Sequence, residues 1–180
     1  MASRSRAKSG TFFLSTQVDG GTTATGFQQA KIDISSFVNV LQGEVLRIKQ
    51  IWFQWQDDSG GPIAAATVGA NNGASADAQV TVESQTGRAN FTNNAVIAKN
   101  TVYTHCAGAG QLDFYATEMG MNPTDYEDGY LVATDSIYLG LSPSGDPFTA
   151  DIRCSIKLEC EIVKLSLSDA QAVLVSQTIG

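Results

Sequence analysis

Any chemistry in this chain has to be built from few parts. There is one histidine, His105, inside the run "VYTHC". Its neighbour Cys106 falls on the opposite side of an extended segment, so the two do not form a thiolate and imidazole pair. No second histidine exists for a metal centre or a proton relay, and a Ser-His-Asp set would have to rely on this one. The motif G-x-S-x-G is absent. Carboxylate pairs such as Asp57 with Asp58 sit in turn-like stretches, not held across a cleft as glycoside hydrolysis requires. These residues predict no enzyme, and His105 reads as a structural histidine.

One acidic run offers a different chemistry. In "TDYEDG", Asp125, Glu127 and Asp128 supply hard oxygens at short spacing before a glycine, as a Ca²⁺ site would require, although the EF-hand spacing is not met. The same residues also make an ordinary solvated turn. "NFT" at Asn90 is a glycosylation sequon only in a secreted eukaryotic protein. Cys154 and Cys160 are six residues apart on one face of a single extended run, about 20 Å at ~3.3 Å per residue. A disulfide needs Cα atoms within about 7 Å. With Cys106 the count is odd, and all three are expected to be reduced and core-filling.

The elements that must position these residues are extended ones. In "ADIRCSIKLECEIVKL" the apolar residues Ile152, Cys154, Ile156, Leu158, Cys160 and Ile162 fall on every second position, and polar residues fill the gaps. This is a strand with one dry and one wet face. "EVLRIKQIWFQWQ" has Leu46 and Ile48 on even positions but Ile51, Phe53 and Trp55 on odd ones, which predicts a β-bulge near Lys49 or Gln50. Trp52 then lies on the other face among Gln50, Gln54 and Gln56, as a contact surface would. Further strands are predicted over residues 11–17, 30–34, 64–68, 78–84, 95–104 and 111–117, and as two segments within "YLVATDSIYLGL". Gly- and Asn-rich loops such as "GANNGAS" separate them.

Two helices are expected. "SSFVNVLQG" offers Ser35 or Ser36 as N-cap, an i, i+3, i+4 set at Phe37, Val40 and Leu41, and Gly43 as a stop. In "LSLSDAQAVLVSQ", Ser168 with Gln171 makes a capping box and Asp169 suits the first turn. Ala170, Val173 and Leu174 share a face of this two-turn helix. So short a helix must pack that face on the parent body or on a neighbouring subunit.

Short strands with regular turn signals, no βαβ rhythm and one domain's worth of chain predict an all-β antiparallel sandwich of jelly-roll type with a short C-terminal helix. The expected division is an N-terminal arm over residues 1–10, the sandwich over 11–166, and the helix and tail over 167–180. The apolar patch after the basic start is too short for a signal peptide, and no run approaches a membrane span. The protein is therefore expected to stay in the compartment where it is made. Charge is uneven. The chain is acidic at −7, yet Arg4, Arg6 and Lys8 are three of its eleven basic residues and no carboxylate precedes them.

A compact all-β body with a basic, Ser-rich arm resembles the single-jelly-roll capsid proteins of small icosahedral viruses. "SRSRAK", "LRIKQIWFQW", "YLVATDSIYLGL" and the long closing strand carry the likeness. The resemblance implies a structural virion protein made in the host cytoplasm, a self-assembling shell subunit whose main partner is many copies of itself. It would turn Arg4, Arg6 and Lys8 toward the genome or an internal membrane. It would set Trp52 and the tail residues Val173 and Leu174 at subunit contacts, with no small-molecule substrate. Three cations per copy neutralise few phosphates, so such binding would be weak and salt-sensitive, with many copies adding up. The rival reading is a ligand- or carbohydrate-binding head of a viral fibre or adhesin. For this Trp52, Trp55, Tyr103, Tyr115, Tyr126, Tyr130 and Tyr138 could supply stacking rings.

Overall fold

The computed structural model of the protein describes residues 6–69, 73–108, 111–118, 122–144 and 146–178. The strands in chain order are β1 (Arg6–Ala7), β2 (Phe12–Gly20), β3 (Gln28–Asp33), β4 (Glu44–Asp57), β5 (Gly73–Thr81), β6 (Val96–Gly108), β7 (Gln111–Glu118), β8 (Tyr130–Val132), β9 (Ser136–Pro143) and β10 (Ile152–Lys164). Two helices, α1 (Ala65–Val68) and α2 (Leu167–Thr178), and two 3₁₀ turns complete the described residues.

All pairings are antiparallel and form two sheets. The first runs β2-β10-β4-β8, with β1 continuing the β2 edge along β10. The second runs β3-β9-β5-β6-β7. From β2 to β5 each connection crosses to the other sheet, β5 and β6 stay together, and from β7 to β10 the chain crosses each time again. This is the jelly-roll order, with β7 as an added hairpin strand.

The closing strand follows its predicted alternation through Cys160, beyond which Ile162 is only half-buried and the wet-phase Glu161 and Val163 are buried. Ile152, Cys154, Ile156, Leu158 and Cys160 are buried in the main core, facing Ala76, Val80, Ile97, Val102, Leu139 and other residues of the same cluster. β10 is central because it is flanked over most of its length, by β2 on one side and β4 on the other. The predicted bulge is present at Lys49. Gln50 pairs with Glu159 and Ile48 with Cys160, so Lys49 is the extra residue. The inserted residue resets the phase, and Leu46, Ile48, Ile51 and Trp55 all reach the core. The Trp55 indole N–H donates to Asn100 Oδ1 at 2.7 Å, a buried bond from β4 to β6 across the sandwich.

Four expectations change. The segment expected as a strand over 64–68 is a single helical turn, closed by Gly69 N–H to Ala65 O at 3.1 Å. A short apolar run has no period to tell helix from strand. β5 starts at Gly73, before the expected 78, because Ala74, Ala76 and Ala78 alternate into the core although alanine is a weak strand signal. The helix expected in "SSFVNVLQG" shrinks to a 3₁₀ turn over Val40–Gln42, capped by Asn39 and ended by Gly43 at φ 72°. Paired bonds between Asn39 and Glu44 close the hairpin so tightly that one turn fills it. A Cβ at Gly43 would also lie 2.4 Å from Leu165 O. The tail helix begins two residues earlier than a Ser168 cap implies and runs to three turns. Its cap is Ser166, whose Oγ accepts from Asp169 N–H and donates to Asp169 Oδ2, in place of Ser168 with Gln171.

Part of the segment expected as an arm over residues 1–10 is paired with β10, and residues 1–5 lie outside the described residues. Arg6 pairs with Lys164 and Ala7 with Val163, Lys8 N–H donates to Ile162 O, and Ser9 Oγ accepts from Ile162 N–H. From Arg6 onward the segment belongs to the first sheet.

Candidate functional site

The outer face of the first sheet, turned away from the core, gathers the side chains of functional interest. Its lower end is covered by α2. Val45 and Val163, on the wet phase of β4 and β10, are buried there against Ala133 and Ala170, with Val40, Leu131, Leu165, Val173 and Leu174 packed around them. Val173 and Leu174, expected at a contact between subunits, therefore pack on the parent sandwich.

Gln177 fastens the helix to the sheet edge. Its Nε2 donates to Leu131 O at 2.6 Å and its Oε1 accepts from Ala133 N–H at 3.0 Å, so one side chain occupies two backbone groups at the β8 edge. Gln177→Ala leaves both groups without these partners and is expected to cost about 1–3 kcal/mol of stability. It should also speed hydrogen exchange at the Ala133 amide. An amide exchanging at the wild-type rate in this variant would show that Gln177 does not hold the edge.

Above α2, opposite charges cross the strands in pairs. Arg47 Nε donates to Glu161 Oε1 at 2.6 Å, and its guanidinium lies 3.8 Å from Asp128. Lys49 lies 3.4 Å from Glu159 and Arg153 grips Asp19 with two bonds of 2.7 and 3.0 Å, whereas the pair of Lys8 with Glu44 lies at the far end of β4, beyond Val45 and on the phase of Leu46 and Ile48. The bond from Asp19 raises the Arg153 pKa further. Between these pairs stand two aromatic rings. Trp52 is 40% exposed and Phe13 54%, their centroids 6.3 Å apart, with the Lys157 ammonium 4.8 Å from the Phe13 centroid. Trp52 lies on the outer face as its phase predicts. Phe13 was missed, although it breaks phase in the same way, standing between the inward-facing Phe12 and Leu14.

A second feature lies beside α2. An open groove of about 690 Å³ is lined by Phe91, Asn93, Tyr126, Tyr130, Leu131 and Val173 among others, with no charged residue. Tyr126 and Tyr130 meet edge to face at 5.8 Å. Burial raises the Tyr130 pKa, so its hydroxyl stays protonated and donates to Asn94 O at 3.2 Å. The sequence signalled the tyrosines but not Phe91 or Leu131, which distant segments bring to the same wall.

The three acidic residues read as Ca²⁺ ligands do not converge. Asp125 accepts from Asn122 N–H at 2.7 Å in a capping box, Asp128 faces Arg47, and Glu127 is exposed. Among the described residues no group of three His, Cys, Asp or Glu could hold a metal ion. A capped turn aims its carboxylates at its own backbone and at Arg47, and that leaves no common centre.

His105 is exposed on β6 opposite Asp113, outside the core, while Cys106 points inward as expected. The three cysteines are buried and none of them is in a disulfide. Burial pushes the Cys160 thiol up to about 12 and the Cys154 thiol higher still, so neither is a thiolate at neutral pH. Arg4 lies outside the described residues. No helix among the described residues is long and apolar enough to cross a membrane.

The chain matches no protein-family model and no curated protein sequence.

Proposed function

We propose that this protein is a self-assembling capsid subunit, copies of which close into a shell around nucleic acid in a virion. The observation that carries this reading is the strand order, β2-β10-β4-β8 against β3-β9-β5-β6. Jelly rolls of this order serve as capsid and lectin domains. The capsid side is supported by the basic residues at the start of the sequence, of which Arg6 lies on a strand paired with β10 and Lys8 pairs with Glu44.

Untagged protein, followed by negative-stain electron microscopy and light scattering over a range of salt, is expected to form closed particles of uniform diameter. A monomer or trimer stable under every condition overturns the shell reading. The rival, a sugar-binding head, is favoured by one observation, the uncharged aromatic groove at Phe91, Tyr126 and Tyr130. A glycan array on that stable monomer or trimer tests it, with retention of neutral saccharides lost in Tyr126→Ala as the expected result.

A further inference from the structure

Charge is divided unequally between the two sheets. The strands of the first sheet and the link from β1 to β2 hold Arg6, Lys8, Arg47, Lys49, Arg153, Lys157 and Lys164, whereas the strands of the second hold Lys31 and Lys99. The carboxylates of the first sheet are already engaged. Asp19, Glu44, Glu159 and Glu161 each face a cation. Asp57 is held by the Ser59 hydroxyl at 2.8 Å and the Gly61 amide at 2.7 Å. Lys157 and Lys164 are exposed and, among the described residues, no carboxylate pairs with either. By register Arg47, Lys49, Arg153 and Lys157 share the outer face of this sheet with Asp19, Glu159 and Glu161, so among the described residues Lys157 is the cation left there without a carboxylate.

The same face carries Phe13 and Trp52 side by side, with Lys157 against one ring and the neutral donors and acceptors Gln50, Gln54, Ser15 and Ser155 in neighbouring register positions. Exposed rings that accept any base by its flat face, beside ammonium groups for phosphate, are what a single strand with unpaired bases requires. A duplex hides its base faces and could use only the charges.

We infer that the outer face of the β2-β10-β4 sheet, centred on Phe13, Trp52 and Lys157, binds single-stranded nucleic acid by base stacking and phosphate contact. The binding stands on this face alone. That the face looks into a shell rests on the capsid reading above. Trp52 is thereby assigned to nucleic acid and not to a subunit contact.

Fluorescence anisotropy of a labelled oligothymidylate of about 20 nucleotides, a length that covers a typical site, tests this. It is run on the full chain at concentrations where light scattering shows no particles. Wild type is expected to bind the single strand more tightly than a duplex of equal length. Phe13→Ala with Trp52→Ala should weaken binding tenfold or more, since each stacked base contributes about a factor of five to a hundred. Trp52→Phe, which keeps a ring, should stay within about threefold of wild type by the same stacking argument. Lys157→Gln should lower the slope of log affinity against log salt by about one. Circular dichroism checks that these surface variants remain folded.

Binding unchanged in the double alanine variant, or no binding by wild type, overturns the inference. So does ring-dependent binding to phosphatidylglycerol vesicles without binding to the oligonucleotide, which would make the face a membrane surface. Loss of particles in the double variant with unchanged oligonucleotide binding also overturns it, in favour of a subunit contact. A protein that never forms particles yet binds the strand through these rings keeps this inference while the capsid reading fails.

Discussion

Leu158→Ala is expected to lower the free energy of unfolding by about 3–5 kcal/mol, the range for a buried leucine whose cavity cannot collapse. Leu158 is fully buried, lies opposite Leu14 on β2 and Ile51 on β4, and sits on the strand that joins both halves of the first sheet. Strands on both sides leave the backbone little freedom to close the hole. The adjacent wet-phase substitution Lys157→Ala should change stability by no more than about 0.5 kcal/mol. Denaturant titrations of the two variants against wild type read both effects. A loss below about 1.5 kcal/mol at Leu158 would mean that the core around β10 relaxes far more than a close-packed interior does.

The second large effect is expected at Arg47. Little of either the Arg47 or the Glu161 side chain reaches water. Arg47→Ala leaves the Glu161 carboxylate half-desolvated without its cation and is expected to cost about 2–3 kcal/mol, somewhat less than a fully buried pair would. Arg47→Met combined with Glu161→Leu should recover to within about 1 kcal/mol of wild type, because the desolvation of both charges disappears with them. If the double variant is as unstable as Arg47→Ala, the loss comes from the missing arginine stem and not from the orphaned charge. Arg47 also faces Asp128, so hydrogen exchange over residues 122–129 should rise in the single variant if that contact steadies the acidic turn.

Both predictions concern strands whose dry and wet faces are legible in the residue pattern alone. Period-two alternation over β10 and the phase change at Lys49 are local signals, since a one-residue slip would turn the whole apolar set toward water. The segment "SSFVNVLQG" misleads because its apolar spacing suits a helix, while the hairpin bonds between Asn39 and Glu44 come from the paired chain. Residues 64–68 carry no period at all. Of the candidate surface, Trp52 stands out as an aromatic on the wrong phase, and Phe13 carries the same signal less visibly, between two apolar neighbours. Lys157 gives none, because an exposed lysine between polar neighbours is ordinary until the register places it opposite Trp52 and beside Phe13.

The sequence by itself determined the class of fold, the inward set of β10 and β4, the site of the bulge, and a basic start on an acidic chain. These follow from alternation, turn chemistry and charge, which each segment carries alone. Only the tertiary structure decided that Val45 and Val163, on the wet phase, are buried under α2, and that Val173 and Leu174 pack on their own sandwich. It also decided that Asp125 and Asp128 part company, and that Asp19, Glu159 and Glu161 on the outer face are spent on its own cations, leaving Lys157 beside two open rings. Each of these outcomes depends on which distant strands lie side by side. Local periodicity says which face of a strand is dry but not what the other face will meet.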